Sequence, residues 1–343
     1  MSVETLQQVW TVRRVLTWTE QRFRRSSLAS PRLDAEILLG HCLQKNRVRL
    51  YLDFDQPLAT DELARFKHVV QKRLSGTPVA YLTGQKEFFS LPLEVSPAVL
   101  IPRPETETLV ELALRFLSSG SFLNEAKHET SSLLPVQVVY DALPQTSEVA
   151  DETAGETPPS VPEKAEPLSE TPAQTKTVVD VGTGSGAIAL AIKQHAKNVR
   201  VLAVEKSPAA LDIAKKNAER LGLQVEFLSG DLLFPVPETE TLDLVCANLP
   251  YIPTGDIATL AQDVQNEPRM ALDGGPDGLS TIARLCDTAA ARLRSGGGIL
   301  LEVGAGQAQA VEKRLRSSGF SSVTSVRDLA GIERVVVGLA GGL

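Results

Sequence analysis

The first 75 residues carry apolar side chains at the spacing of an α-helix. Apolar positions 33, 37, 38 and 42 follow Ser30-Pro31, a pair typical of a helix start with a cap and a first-turn proline. Apolar positions 63, 66, 69, 70 and 74 follow Thr60 in the same way, and an earlier amphipathic stretch includes Val9 and Val12. The pattern predicts a small helical bundle at the start of the chain.

The spacing then changes. Residues 79–101 have the short apolar runs and prolines of strands and turns, and residues 106–116 return to helical spacing. Strands are predicted at 177–181, 200–204, 225–228, 242–247, 298–303 and 333–339, and helices at 187–195, 208–221, 280–293 and 307–317. This alternation predicts an α/β fold with a doubly wound, mostly parallel sheet. Ligands bind beyond the carboxyl ends of such strands, so the loops 182–186 and 248–251 form the predicted site.

Composition and charge distinguish one segment, residues 141–176, from the predicted elements on either side of it. The chain has 343 residues, which suggests about two domains, and a net charge of −7. Residues 141–176 hold eight acidic and two basic residues, six prolines and no aromatic residue. Such a segment cannot bury enough apolar surface to offset its ordering entropy, so it is predicted to be a disordered acidic insert. Residues 1–90 carry 14 basic and nine acidic residues, too weak a surplus to indicate nucleic-acid binding.

Several classes of protein are excluded. No apolar run approaches the roughly 18–20 residues of a membrane span, and residues 1–10 do not resemble a secretory signal. We therefore expect a cytoplasmic protein without membrane contact, and a monomer by default. The cysteines and histidines are scattered along the chain, at Cys42, Cys246, Cys286, His41, His68, His128 and His195. None has the spacing of metal ligands, so no metal site is expected.

The first predicted core strand ends in a glycine loop. It reads Asp180-Val181-Gly182-Thr183-Gly184-Ser185-Gly186 and precedes a predicted helix. Glycines allow the tight turn and the close approach of a ligand. Glu205, at the end of the next strand, is suited to accept hydrogen bonds from the ribose hydroxyls of an adenosine cofactor. The loop leaves a nicotinamide dinucleotide and S-adenosylmethionine open as the cofactor. Asp180 before the glycines resembles the first motif of class I methyltransferases, and this resemblance favours S-adenosylmethionine.

A second loop follows the strand at 242–247. Its sequence is Asn248-Leu249-Pro250-Tyr251. A planar amide or amino nitrogen is a poor nucleophile, and two acceptors on its N–H groups would aim it at a methyl donor. The Asn248 side chain and the Leu249 carbonyl can supply these acceptors, Tyr251 can stack on the planar group, and Pro250 stiffens the loop.

Several segments together resemble one family. They are GTPVAYLTG at 76–84, VLIPRPETE at 99–107, NEP at 266–268 and EVG at 302–304. With the two loops, they resemble the PrmC/HemK family, the peptide-chain release factor glutamine methyltransferases. The second loop also resembles the N/D-P-P-Y/F/W motif of methyltransferases that act on planar amino groups, with leucine at the second position instead of proline. The resemblance to the PrmC/HemK family covers nearly the whole chain outside residues 118–176.

The resemblance implies a domain organisation. Residues 1–76 would form a helical domain that grips the release factor, and residues 77–117 would link it to the core through a hairpin and a helix. Residues 118–176 would be the insert. Residues 177–343 would form a class I S-adenosylmethionine-dependent methyltransferase core with a Rossmann-like sheet.

The resemblance also implies a reaction and its residues. The enzyme would methylate the side-chain amide nitrogen, N5, of the glutamine in the GGQ motif of class 1 release factors. Asn248, Leu249, Pro250 and Tyr251 would hold that glutamine, with Asn248, Pro250 and Tyr251 as the catalytic residues. The cofactor-binding residues would be Asp180, Gly182, Thr183, Gly184, Ser185, Gly186, Glu205, Leu232 and Asn248.

Some points stay open from the sequence alone. Glu267 is interpreted either as a brace for the substrate loop or as a surface acid. Arg103 and Glu107 are interpreted as structural anchors that act through charge pairs. Two other functions compete: an adenine-N6 methyltransferase on nucleic acid, which would use the same loop on a flipped base, and a catalytically silent adaptor that binds the cofactor.

Overall fold

The computed structural model of the chain describes residues 9–122 and 175–341. The helices are α1 (Val12–Arg25), α2 (Pro31–Leu43), α3 (Arg47–Leu52), α4 (Thr60–Leu74), α5 (Val79–Thr83), α6 (Glu107–Ser119), α7 (Ala187–His195), α8 (Pro208–Leu221), α9 (Gln262–Gln265), α10 (Arg269–Leu272), α11 (Ser280–Ala289) and α12 (Ala308–Ser317). The strands are β1 (Gln85–Phe88), β2 (Leu91–Glu94), β3 (Lys176–Val181), β4 (Val199–Glu205), β5 (Glu226–Ser229), β6 (Leu242–Ala247), β7 (Leu293–Glu302), β8 (Phe320–Arg327) and β9 (Glu333–Ala340). Most of the predicted insert, residues 123–174, lies outside the described residues.

The N-terminal helices form the predicted bundle around their own apolar core. Leu16, Phe23 and Leu38 are fully buried there. Helix α2 begins at Pro31 as predicted, but the Ser30 side chain makes no capping hydrogen bond. The apolar periodicity therefore located α2 and α4 correctly, while one predicted cap contact was wrong.

The bundle contacts the segment that follows the Asn-Leu-Pro-Tyr loop. Arg73 Nε donates to Asp34 Oδ2 at 2.8 Å within the bundle, and Arg73 Nη2 lies 3.3 Å from Asp263 Oδ2. Asn266 Nδ2 donates to the Gly76 carbonyl at 2.9 Å. One buried guanidinium thus pairs with carboxylates on both sides of this contact.

Strands β3 to β9 form one seven-stranded sheet in the order β5-β4-β3-β6-β7-β9-β8. All neighbours are parallel except for β9, which runs antiparallel to both β7 and β8. The strand order reverses between β3 and β6, which lie side by side. The carboxyl ends of these two strands carry the two predicted loops, so the topology brings both loops to the switch point of the sheet.

Helices cover both faces of this sheet. Successive residues of a strand point to opposite faces, and accordingly Val178 packs in the core with α6 and α7, while Val179 packs in the core with α11 and α12. Both valines are fully buried. The long apolar runs of the predicted strands follow from this double coverage.

One segment between the bundle and the core differs from the predictions. Residues 79–83 form the short helix α5 rather than a strand; it ends at Gly84 with φ of 73°. The rest of the predicted strand and turn region holds the β1–β2 hairpin, whose register pairs Phe88 with Leu91. Pro78 before the helix and a left-handed glycine after it define this single turn better than its apolar pattern does.

Three further differences from the predicted elements concern helix α3, strand β8 and the end of helix α11. Helix α3 and strand β8 were not predicted. Strand β8 lies at the edge of the sheet and contains Ser321, Ser322, Thr324 and Ser325, so it lacks a continuous apolar run. Helix α11 ends at Ala289 rather than at residue 293, because Leu293 already begins β7.

Within residues 9–122 and 175–341, no helix is both long enough and apolar enough to cross a bilayer.

Candidate functional site

The glycine loop after β3 adopts a backbone conformation that favours glycine. Gly182, Gly184 and Gly186 have φ values of 75°, 57° and 86°, in the left-handed region where a Cβ is disfavoured. A Cβ on Gly186 would also lie 2.9 Å from Leu190 Cδ1. The loop is held to β4 by the backbone N–H groups of Gly182 and Thr183, which both donate to the Val204 carbonyl.

Asp180 joins this loop to the helix behind it. Its Oδ2 accepts hydrogen bonds from Thr183 Oγ1 at 2.6 Å and from the Ala189 N–H at 3.1 Å. Its other oxygen, Oδ1, is buried without a hydrogen-bond partner among the described residues. Burial raises the pKa of Asp180 to about 7, because the ionised carboxylate is poorly solvated there.

Glu205 connects the glycine loop to the start of α8. Its Oε2 accepts the Gly184 N–H at 2.9 Å, and its Oε1 accepts the Ser207 N–H at 2.8 Å. A carboxylate offers about four acceptor positions. Two therefore remain for further donors on the ligand side, such as a pair of ribose hydroxyls.

The Asn-Leu-Pro-Tyr loop is anchored by side chains from two other segments. Asn248 Nδ2 donates to Thr106 Oγ1 at 3.1 Å. Gln307 Nε2 donates to the Tyr251 carbonyl at 2.8 Å, and Gln307 Oε1 accepts the Gly304 N–H at 2.8 Å. Burial raises the pKa of Tyr251 to about 12, so its phenol stays neutral at physiological pH.

One cavity of about 400 Å³ lies between the two loops. The predicted site residues that line it are Gly182, Gly184, Ser185, Glu205, Leu232, Asn248, Leu249 and Pro250. The predicted site residues that do not line it are Asp180, Thr183, Gly186 and Tyr251. The structure therefore brings most of the predicted residues to one cavity, and the other four lie in the same two loops outside its lining.

Three features of the cavity fit S-adenosylmethionine. Glycines without side chains form one wall, so a ligand can approach the backbone closely. Glu205 has acceptor positions left for a ribose. Leu232 is buried, lines the same cavity and supplies an apolar surface for a base. If bound here, the cofactor would be held by the glycine loop, Glu205 and Leu232.

Sequence reasoning missed two residues that support the site. Asn217 on α8 is fully buried; its Nδ2 donates to the Ser185 carbonyl at 2.9 Å and its Oδ1 accepts the Glu94 N–H at 2.7 Å. Asn217 interrupts the apolar face of α8 with a polar side chain, and this interruption is the sequence signal that could have indicated its supporting role. Thr106, which holds Asn248, lies 142 positions from it in sequence, so no local pattern points to their contact.

The part of the chain that the structure describes contains no arranged set of metal ligands. No group of three or more His, Cys, Asp or Glu side chains within residues 9–122 and 175–341 is arranged to hold a metal ion. Two of the cysteines, Cys246 and Cys286, are buried in the apolar cores, and Cys42 is half-buried.

The sheet order with a single reversed strand, the glycine loop and the cavity define a class I S-adenosylmethionine-dependent methyltransferase. Two family profiles agree: the PrmC N-terminal domain matches residues 14–84, and a methyltransferase domain matches residues 178–266. The chain belongs to the release factor glutamine methyltransferase family, as its relatives show.

Three of these relatives carry the name release factor glutamine methyltransferase. The protein from Geobacter sulfurreducens is 34% identical over 97% of this chain and 98% of its own length. Those from Moorella thermoacetica and Rhodopirellula baltica are both 37% identical, over 94% and 95% of this chain and 96% and 95% of their own lengths. The alignments thus span both the helical bundle and the core.

Proposed function

We propose that the chain transfers a methyl group from S-adenosylmethionine to the side-chain amide nitrogen, N5, of the glutamine in the GGQ motif of class 1 release factors. The observation that carries this proposal is the Asn248-Leu249 pair, which lines the cavity beside the glycine loop. The names of the relatives support the same substrate.

An amide nitrogen needs help to act as a nucleophile because its lone pair is delocalised. Asn248 Oδ1 and the Leu249 carbonyl would accept its two N–H groups, while Tyr251 would stack on the amide plane. S-adenosylmethionine supplies a methyl group on a positively charged sulfur. Alignment of the two reactants by such contacts is worth up to ~7–11 kcal/mol in well-oriented systems. The amide proton leaves to solvent after transfer, so no general base is needed before it.

The roles of the remaining site residues are part of this proposal. Gly182, Gly184 and Ser185 would follow the amino-acid end of the cofactor, and Glu205 would bind its ribose. Asp180, Thr183 and Gly186 would act from behind the loop by keeping its shape. The helical bundle of residues 1–76 would contact the release factor, with residues 77–117 as the link and residues 177–343 as the catalytic core.

The proposal also covers the cellular location of the enzyme, its oligomeric state and its binding partners. The enzyme would act in the cytoplasm as a monomer and would not bind nucleic acid directly. The surplus of 14 basic over nine acidic residues in the first 90 residues supports the last point, because it is small for a nucleic-acid-binding domain.

A labelling experiment tests the proposed reaction. The pure protein is incubated with methyl-labelled S-adenosylmethionine and a purified class 1 release factor, in parallel with the same factor whose GGQ glutamine is changed to alanine. Label is expected on the unchanged factor only, at the glutamine N5 by peptide mass spectrometry. Asn248→Ala should abolish it.

The control is Asn198→Ala, which changes an exposed asparagine in the turn before β4 and should label normally. Label on both release factors would contradict the glutamine assignment. Cofactor binding without label on either factor would favour a silent adaptor, and label on a purified RNA or DNA duplex would favour a nucleic-acid methyltransferase.

A further inference from the structure

The side chain that anchors Asn248 comes from the link between the bundle and the core. Thr106 lies in the single helical turn Pro104–Thr106, just before α6. It is 3% exposed and lines the cavity beside Asn248. Its hydroxyl oxygen accepts the Asn248 Nδ2–H at 3.1 Å.

A second acceptor lies behind this pair. Glu302, the last residue of β7, is 1% exposed, and its carboxyl lies beside the Thr106 and Asn248 side chains, both of which act to lower its pKa against the larger effect of burial. Glu302 Oε2 has no hydrogen-bond partner among the described residues. A hydroxyl that accepts one hydrogen bond still has a proton to donate, and the Glu302 carboxyl is the acceptor beside it.

These contacts determine which way the Asn248 amide is turned. Thr106 Oγ1 accepts a hydrogen bond from the Asn248 nitrogen, so the nitrogen faces Thr106 and Oδ1 lies on the other side of the amide. The buried Glu302 carboxyl lies beside the same two side chains. A flipped amide would face the substrate nitrogen with N–H groups, and two donors cannot hydrogen-bond to each other. The orientation of this one amide therefore decides whether the loop can accept a substrate N–H.

We propose that Thr106 is a positioning residue for methyl transfer, because it holds the Asn248 amide nitrogen and thereby presents the amide oxygen to the substrate, and that the buried Glu302 carboxyl beside them supports this arrangement. Neither residue touches the reacting atoms in this proposal. The inference rests on the proposed function, in which Asn248 Oδ1 is one of the two acceptors for the glutamine N–H groups. It adds to that function the reason why this oxygen faces the substrate.

Two variants of Thr106 separate positioning from packing. Thr106→Val keeps the shape of the side chain but loses the hydroxyl, and Thr106→Ser keeps the hydroxyl. For Thr106→Val we expect kcat for release factor methylation to fall about 10- to 100-fold, the loss typical of a misplaced group. The KM for the release factor and the Kd for S-adenosylmethionine should change less than about threefold, since neither ligand contacts the hydroxyl in this proposal.

Thr106→Ser should restore kcat to within about threefold of the unchanged enzyme, because it restores the hydrogen bond. Glu302→Gln keeps an oxygen acceptor, so its kcat should lie between those of the two Thr106 variants. Thr239→Val, which removes an exposed hydroxyl from the turn before β6, is the matched control and should leave kcat unchanged. Thermal unfolding of each variant shows whether it is folded.

The possible outcomes are distinct. Equal kcat for Thr106→Val and the unchanged enzyme would overturn the inference and leave the proposed function intact. The inference is also overturned if Thr106→Val and Thr106→Ser lose activity equally while both stay folded. Absence of label from the unchanged enzyme would overturn the proposed function, and the inference with it.

Discussion

Glu267 Oε2 accepts the backbone N–H of Ile101 at 2.9 Å, although the two residues are 166 positions apart in sequence. The Arg103 guanidinium pairs with the other oxygen of the same carboxylate. Glu267 is 5% exposed, so the interpretation as a surface acid was wrong. Its carboxylate braces the segment at 99–107, and a role as a brace for the substrate loop itself stays a prediction. The segment at 99–107, which carries Thr106, is thereby held against the segment that follows the substrate loop.

Loss of this brace should destabilise the fold. Glu267→Ala leaves the buried Ile101 N–H and the Arg103 guanidinium without their acceptor, and we expect the free energy of unfolding to fall by about 2–4 kcal/mol. Chemical denaturation measures this loss. Glu238→Ala, at an exposed position, is the control and should change stability by less than about 0.5 kcal/mol. A loss equal to that of the control would show that the brace contributes nothing.

Arg73 should matter more than other arginines of the bundle. It is 5% exposed and pairs with Asp34 and Asp263, so Arg73→Met leaves two carboxylates uncompensated. We expect a loss of about 3–5 kcal/mol in the free energy of unfolding. Arg65→Met removes an exposed pair with Asp61 and should cost less than about 1 kcal/mol. Similar losses for the two variants would contradict the structural role of Arg73.

Glu302 should make stability depend on pH. Burial raises its pKa from the ordinary 4.5 to about 7, against the opposing effect of Arg334. The native state therefore keeps a proton that the unfolded chain has released. This contribution is complete below pH 4.5 and is lost as the pH rises through about 7.

Glu302→Gln removes that titration. Between about pH 5 and pH 8.5, the unchanged protein should lose roughly 2–3 kcal/mol more unfolding free energy than the variant. Denaturation curves at the two pH values measure the difference. The buried Asp180 titrates in the same direction in both proteins, so its effect cancels. Parallel losses in the two proteins would mean that Glu302 does not carry this effect.

Glu205 should control cofactor affinity. Glu205→Ala removes the acceptor of the Gly184 and Ser207 N–H groups together with the proposed ribose contact. The Kd for S-adenosylmethionine, measured by calorimetry, is expected to rise at least about tenfold. Glu226→Ala, which breaks an exposed pair with Arg200 on the edge strand, should leave the Kd unchanged. An unchanged Kd for Glu205→Ala would remove Glu205 from the proposed cofactor site.

Leu249 should tolerate the proline that the N/D-P-P-Y/F/W motif has at this position. The carbonyl of residue 249 is the proposed acceptor, and Leu249→Pro keeps it, so kcat should stay within about threefold. The side chain is 5% exposed, so the free energy of unfolding should fall by about 1–2 kcal/mol through lost packing. Leu249→Ala separates lost packing from altered loop stiffness. A tenfold or larger drop in kcat for Leu249→Pro alone, about 1.4 kcal/mol, would show that leucine sets the loop geometry here.

The sequence predicted the elements whose patterns are local. The glycine loop and the Asn-Leu-Pro-Tyr loop were found because each directly follows an apolar run of strand length. The parallel sheet followed from alternating strands and helices. Helix α5 and strand β8 were missed or mistaken because a single turn and a half-exposed edge strand have weak periodicity.

Sequence alone determined the class of fold, the two loops and the chemistry that their residues can perform, because these depend on backbone preferences and on residue types near one another in the chain. Only the tertiary structure decided how the loops are held. The contacts of Thr106 with Asn248 and of Ile101 with Glu267 join residues more than 140 positions apart. Such pairs form only when strands and helices pack, since no local preference favours one distant partner over another.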